Sequence, residues 1–193
     1  MEKRLLGLVC ALAVAAVASA DFAITSINPA GGGGTPVAGS NHGWEFTVNQ
    51  PITVTHLGLF DRDDNGLMHD HPIGLFRTDG TLLASGTLTA GTGNTLIDHF
   101  RYVAITATAL NVGQQYVVGY YSAQEFGDFV ITSNSQKVVN PAITWNNGRW
   151  NATGVFGMPG NIVGDDRFGP NFQFIPEPAA LALLALGLIW RRR

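Results

Sequence analysis

Residues 43–61 read GWEFTVNQPITVTHLGLFD, and this stretch decides the fold class. Trp44, Phe46 and Val48 alternate with Glu45 and Thr47. After Asn49-Gln50-Pro51, Ile52 and Val54 alternate with Thr53 and Thr55 before the run Leu57-Gly58-Leu59-Phe60. A side-chain period of two is the pattern of a strand with one buried face, and Asn and Pro between two such runs mark a turn. Working outward, similar short runs lie at 73–77, 82–88, 100–105, 116–121, 129–131, 143–145 and 172–174. Turn formers separate them: Asn65-Gly66, Thr78-Asp79-Gly80, Gly91-Thr92-Gly93-Asn94 and Asn111-Val112-Gly113. No part of the body carries an apolar stripe at helical spacing over three turns. Between residues 21 and 175 there are 22 glycines, a density that disfavours long helices. The expectation is an all-β domain over 21–175: an antiparallel β-sandwich, jelly-roll-like. Phe22 to Ile27 reads as a lone first strand, and the glycines at 31–34 as a flexible connection. From Val138 to Pro170 the pattern thins into a long loop region.

Residues 21–175 hold twelve acidic and six basic side chains, a net charge of −6 with histidine neutral. With no basic stripe, a nucleic-acid partner is not expected.

The two ends differ from the body. Residues 1–20, MEKRLLGLVCALAVAAVASA, combine Lys3 and Arg4 with an apolar run and then Ala18-Ser19-Ala20. This is the layout of a signal peptide, cleaved by signal peptidase between Ala20 and Asp21 after entry into the Sec export machinery, with Ala18 as the second small residue of the cleavage site. Its only cysteine, Cys10, would leave with it, so the exported body would have no disulfide and depend on its core. At the other end, residues 176–193 read PEPAALALLALGLIWRRR. As a short apolar helix, Ala179 to Trp190 would be about 18 Å long at about 1.5 Å per residue, well under a hydrocarbon core of about 30 Å. Arg191, Arg192 and Arg193 would act as a stop and anchor on the cytoplasmic side, placing the body across the membrane. A segment with no polar interruption has no solvent face for packing as an amphipathic helix on the domain.

Pro176-Glu177-Pro178, a short apolar segment and a terminal arginine cluster, in that order, resemble the PEP-CTERM sorting signal of Gram-negative and related bacteria that make exopolysaccharide or biofilm matrix. The resemblance implies that an exosortase, a membrane-embedded cysteine transpeptidase, recognises Pro176, Glu177 and Pro178 and removes the tail as the protein reaches the surface. The body, through GWEFTVNQPITVTHLGLFD, HPIGLF and FGPNFQF, is similar to exported β-sandwich domains that carry such tails.

The densest polar stretch is Asp61 to His71. Asp61, Asp63, Asn65 and Gly66 match the first half of a calcium loop, with Asp70 as a further carboxylate. Pro72 stands where a closing glutamate is needed, so the loop reads either as a solvated turn or as a weak calcium site. His69 and His71 form an H-x-H pair that a strand would point one way, but no further ligands stand at suitable spacing, and surface histidines are expected. Asp165-Asp166 is a carboxylate pair of the sort a glycoside hydrolase needs, here expected to be solvated. Trp145, Trp150 and Tyr120 or Tyr121 are candidates for stacking on sugar rings. The expected function is a non-enzymatic surface or matrix protein, delivered through a transient membrane anchor. The alternatives are a carbohydrate-binding module, marked by exposed tryptophans lining one groove, and a hydrolase.

Overall fold

The computed structural model describes residues 19–28, 32–124, 128, 130–133 and 137–177 of the chain. Among them the chain forms strands only: β1 (Asp21–Phe22), β2 (Ile24–Ser26), β3 (Gly32–Gly34), β4 (Ser40–Val48), β5 (Ile52–Phe60), β6 (His71–Arg77), β7 (Leu82–Leu88), β8 (Thr95–Ile97), β9 (Phe100–Leu110), β10 (Gln115–Ser122), β11 (Val130–Ser133), β12 (Val138–Val139), β13 (Ile143–Ala152), β14 (Asn161–Val163) and β15 (Pro170–Pro176). A five-stranded sheet, β1-β15-β5-β9-β8, lies against a six-stranded sheet, β14-β13-β4-β10-β6-β7, and the pairs β11-β3 and β12-β2 are appended. Every pairing is antiparallel. The molecule is an antiparallel β-sandwich.

The stretch 43–61 explains why. Asn49-Gln50-Pro51 does not close a hairpin; it carries the chain from β4 in one sheet to β5 in the other, so the two alternating runs become facing walls of one core. Trp44, Phe46 and Val48 on β4 and Val54, Leu57 and Leu59 on β5 are all buried. Phe172 of β15 fills the space between, 4.9 Å from Phe46 and 5.8 Å from Trp44 by ring centroids. The Trp44 indole Nε1 donates to the Pro170 carbonyl at 2.7 Å, tying the sheets together. Each large apolar side chain fully buried in this way contributes about 1.5–3 kcal/mol relative to leaving it exposed.

Four features differ from the sequence reading. The segment from Phe22 is not a lone strand: β1 pairs with β15 and β2 with β12, while Asn171 binds both the N–H and the C=O of Ile24. Gly32–Gly34 is not merely a flexible connection, since it pairs with β11. β13 runs to Ala152 because a register shift between Trp145 and Asn147 absorbs Asn146, whose amide donates to Thr47 Oγ1 at 3.0 Å. The segment after β13 is strapped across the outer face of its sheet rather than looping free. Asn41 donates to the Val155 carbonyl and accepts from Gly157 N–H, Asn151 donates to the Met158 carbonyl, and Arg149 donates to the Gly160 carbonyl. The ion pair between Arg149 and Glu45 is buried beneath this strap.

The strand registers define two ends. Ser40 pairs with Ser122 and Leu59 with Pro170 at the upper end; Ile52 pairs with Leu110 and Pro176 at the lower. Nine-residue β4 separates them by about 30 Å at about 3.3 Å per residue. Among the described residues no helix is long and apolar enough to cross a membrane. The expected signal segment up to Ala18, and Pro178 through Arg193 with the apolar tail expected to be helical, lie outside the described residues.

Candidate functional site: the upper end of the sandwich

Polar side chains gather where β4, β6, β10 and β13 reach the upper end. His42 occupies an inward position of β4, in register with Tyr120 on β10 and Trp150 on β13. Its ring stacks on Tyr120 at 5.8 Å and stands 6.5 Å from Trp150. Arg167 Nη1 lies 3.3 Å from His42 Nδ1, and because a guanidinium only donates, Nδ1 is the acceptor. The proton of the neutral ring therefore sits on Nε2, which donates to Ser40 Oγ at 2.8 Å; Ser40 Oγ in turn donates to the Val37 carbonyl. This chain of bonds joins the 165–167 loop, β4 and the 34–37 segment through one buried imidazole.

Burial, reinforced by the positive charge of Arg167, lowers the His42 pKa from 6.5 to about 3. The unfolded chain then takes up a proton near pH 6.5 that the native ring refuses until about pH 3. The stability held by neutral His42 is complete above pH 6.5 and is lost as the pH falls toward 3. Unfolding free energies measured between pH 7 and 4 are expected to fall by a few kcal/mol, with a shallower slope in His42→Gln.

Tyr120 is fully buried, and burial with the nearby negative charge of Asp128 pushes its phenol pKa up, so the hydroxyl stays protonated. That hydroxyl has no hydrogen-bond partner among the described residues. His71 meets the Tyr120 ring edge-on at 5.5 Å. Its Nδ1 lies 3.0 Å from the Tyr121 carbonyl, which can only accept, and its Nε2 lies 2.7 Å from Asp128 Oδ2. Asp128 also accepts from Met68 N–H, holding the 61–70 loop against the sheet.

Beside this cluster a pocket of about 330 Å³ is lined by Gly34, Thr35, Pro36, Val37, His42, Val130, Trp150 and Arg167. A second, of about 240 Å³, shares Thr35 and Asp128's side of the loops with Asp61, Asp63 and Asn65.

The structure distributes the sequence candidates differently from expectation. Asp61 is buried, and the cation it meets is Arg101, whose Nε donates to Asp61 Oδ2 at 2.7 Å; the same oxygen accepts from Gly66 N–H at 2.9 Å. Asp70 Oδ1 is taken by Ala90 N–H, while Asp63 and Asn65 are exposed. Among the described residues no three His, Asp or Glu side chains gather as a metal site. Because Arg101 already neutralises Asp61 and Ala90 N–H occupies Asp70 Oδ1, the melting temperature is expected to be the same in millimolar calcium as in chelator.

His71 is not a surface histidine: it is fully buried, whereas His69 lies outside β6, so the H-x-H pair is not presented by one strand. Asp165 and Asp166 are not simply solvated; they pair with Arg167 at 3.0 Å and Lys137 at 2.7 Å. The bulge at Asn146 points Trp145 and Trp150 to the same side, yet Trp145 is covered by Lys137 and packs on Phe168, and only Trp150 reaches the pocket. Tyr120 is core. At the lower end Pro176 pairs with Ile52, Glu177 N–H donates to the Pro51 carbonyl, and Glu177 Oε1 accepts from Thr53. Asp21 pairs with Phe174 directly after exposed Ala20.

Sequence reasoning missed His42, Asp128 and Arg167. The one available signal was the place of His42 in the alternation that runs through Trp44 and Phe46, which puts it on the core face.

No curated protein matches the chain. A family profile described as a domain of unknown function (DUF4082) matches residues 34–168, from the first residue of the pocket to the residue after Arg167. As that match covers most of the chain, the protein belongs to the DUF4082 family.

Proposed function

We propose that this is a non-enzymatic, exported protein of the cell surface or extracellular matrix. Its signal peptide directs it through the inner membrane, and its tail anchors it there until an exosortase-type transpeptidase acts at Pro176-Glu177-Pro178. The observation that supports this reading is where the strands begin and end relative to the two expected cuts. β1 begins at Asp21, the residue after the expected signal cleavage, and is paired with β15, which ends at Pro176, the first residue of the sorting triplet. Both expected cuts therefore flank the described sandwich and lie together at its lower end. A body attached there would present its upper end, with the Trp150 pocket, away from the membrane.

The test is Glu177→Ala in the native host. Glu177 is exposed and, among the described residues, its side chain accepts one hydrogen bond, from Thr53 Oγ1, so folding stability should change by less than about 1 kcal/mol. Maturation is expected to stop while the fold is unchanged; processing at the normal rate would overturn the reading. A second reading, a carbohydrate-binding module of the matrix, is favoured by one observation: Trp150 opens into a pocket.

A further inference from the structure

The chemistry of the upper pocket narrows what it can hold. Among the described lining residues Arg167 brings the only formal charge, and Asp165 already compensates it, accepting from Nε at 3.1 Å and pairing with Nη2 at 3.0 Å. His42 is locked in its neutral form by donors and acceptors on both nitrogens. The described lining thus offers no net charge to an anion. Half-buried Trp150 gives it an aromatic wall, Pro36, Val37 and Val130 line it with apolar surface, and the Thr35 hydroxyl and the remaining Arg167 N–H groups supply hydrogen bonds. Its 330 Å³ stands at the small end of the roughly 300–1,000 Å³ typical of ligand sites, room for one ring rather than an extended chain. A flat aromatic wall with a polar rim suits a ring whose C–H face is apolar and whose edge carries hydroxyls.

We infer that this pocket binds one uncharged sugar ring, stacked on Trp150 and hydrogen-bonded at its edge by Thr35 and Arg167. The site rests on the carbohydrate-binding reading and is independent of the tail. Processing is read by mass and binding by titration, so either can fail without the other.

The test uses the full chain in detergent micelles, titrated with glucose, galactose, mannose and N-acetylglucosamine, with glucuronate as the charged comparator. Binding is followed by ligand-observed saturation-transfer NMR. At least one neutral sugar should saturate, with affinity reduced about tenfold or more in Trp150→Ala. Val37→Arg, at a position 58% exposed on the pocket wall, should block binding without touching the core and serves if Trp150→Ala misfolds. Trp145→Phe should bind as the native chain does. No saturable binding of any of the four neutral sugars, binding that survives both pocket variants, or a preference for glucuronate would overturn the site.

Discussion

Arg101→Ala is expected to destabilise the protein by about 3–5 kcal/mol, the usual consequence of leaving one member of a buried ion pair without the other. Both partners are almost wholly out of solvent, at 3% relative exposure each for Arg101 and Asp61. Arg101 also donates through Nη1 to the carbonyls of Thr92 and Asn94 and through Nη2 to that of Asp64. One guanidinium therefore holds two loops at the upper end. Its loss leaves the Asp61 carboxylate buried with only the Gly66 N–H among these contacts. Removing both charges should be less costly than adding the two single losses, since no unpaired ion remains. Urea denaturation of Arg101→Ala, Asp61→Ala and the double variant checks this. Additive losses, or less than about 1 kcal/mol for Arg101→Ala, would show that the pair is not buried as described.

Trp44→Ala should have an effect of similar size, about 3–5 kcal/mol, through a different cause. The indole is fully buried against Phe46, Phe168 and Phe172, so truncation opens a cavity that one ring from each sheet and one from the segment before β15 cannot jointly fill. Trp44→Phe restores much of the volume but leaves the Pro170 carbonyl without its donor, and should cost less than the alanine variant by roughly 1–3 kcal/mol. Equal losses for the two variants in the same denaturation experiment would mean that packing volume at this position is not what matters.

The legible parts of the fold were those in which apolar side chains recur at alternate positions along the core face. β4, β5, β6 and β10 follow the apolar runs because burial fixes their register, and a slip of one residue would expose the whole core set. The strands that sequence did not reveal are held by other means. β8 is joined to β9 by Asp98 and His99, both with positive φ (47° and 66°), the geometry of a two-residue hairpin turn usually marked by Asn-Gly rather than Asp-His. Asn146-Asn147-Gly148 has the composition of a turn, which hides the second half of β13 in the sequence, whereas in the structure Asn146 is a bulge and the strand continues. Gly148 fits there because a Cβ would run into the Asp165 carbonyl oxygen. The candidate site was less legible still. His42, Tyr120, His71, Asp128 and Arg167 come from five separate segments, and sheet pairing rather than spacing in the chain brings them together. Asp61 shows the converse: its pattern of neighbouring oxygens resembled a calcium loop, but its cation is forty residues away on β9.

The most direct test of the proposed export and sorting is the intact mass and location of the protein in its native host, with and without the tail-processing transpeptidase. The prediction is a chain beginning at Asp21 and ending near Pro176, found at the surface or in the matrix only when the transpeptidase is present. A chain that keeps Arg193 in the inner membrane under both conditions would contradict it.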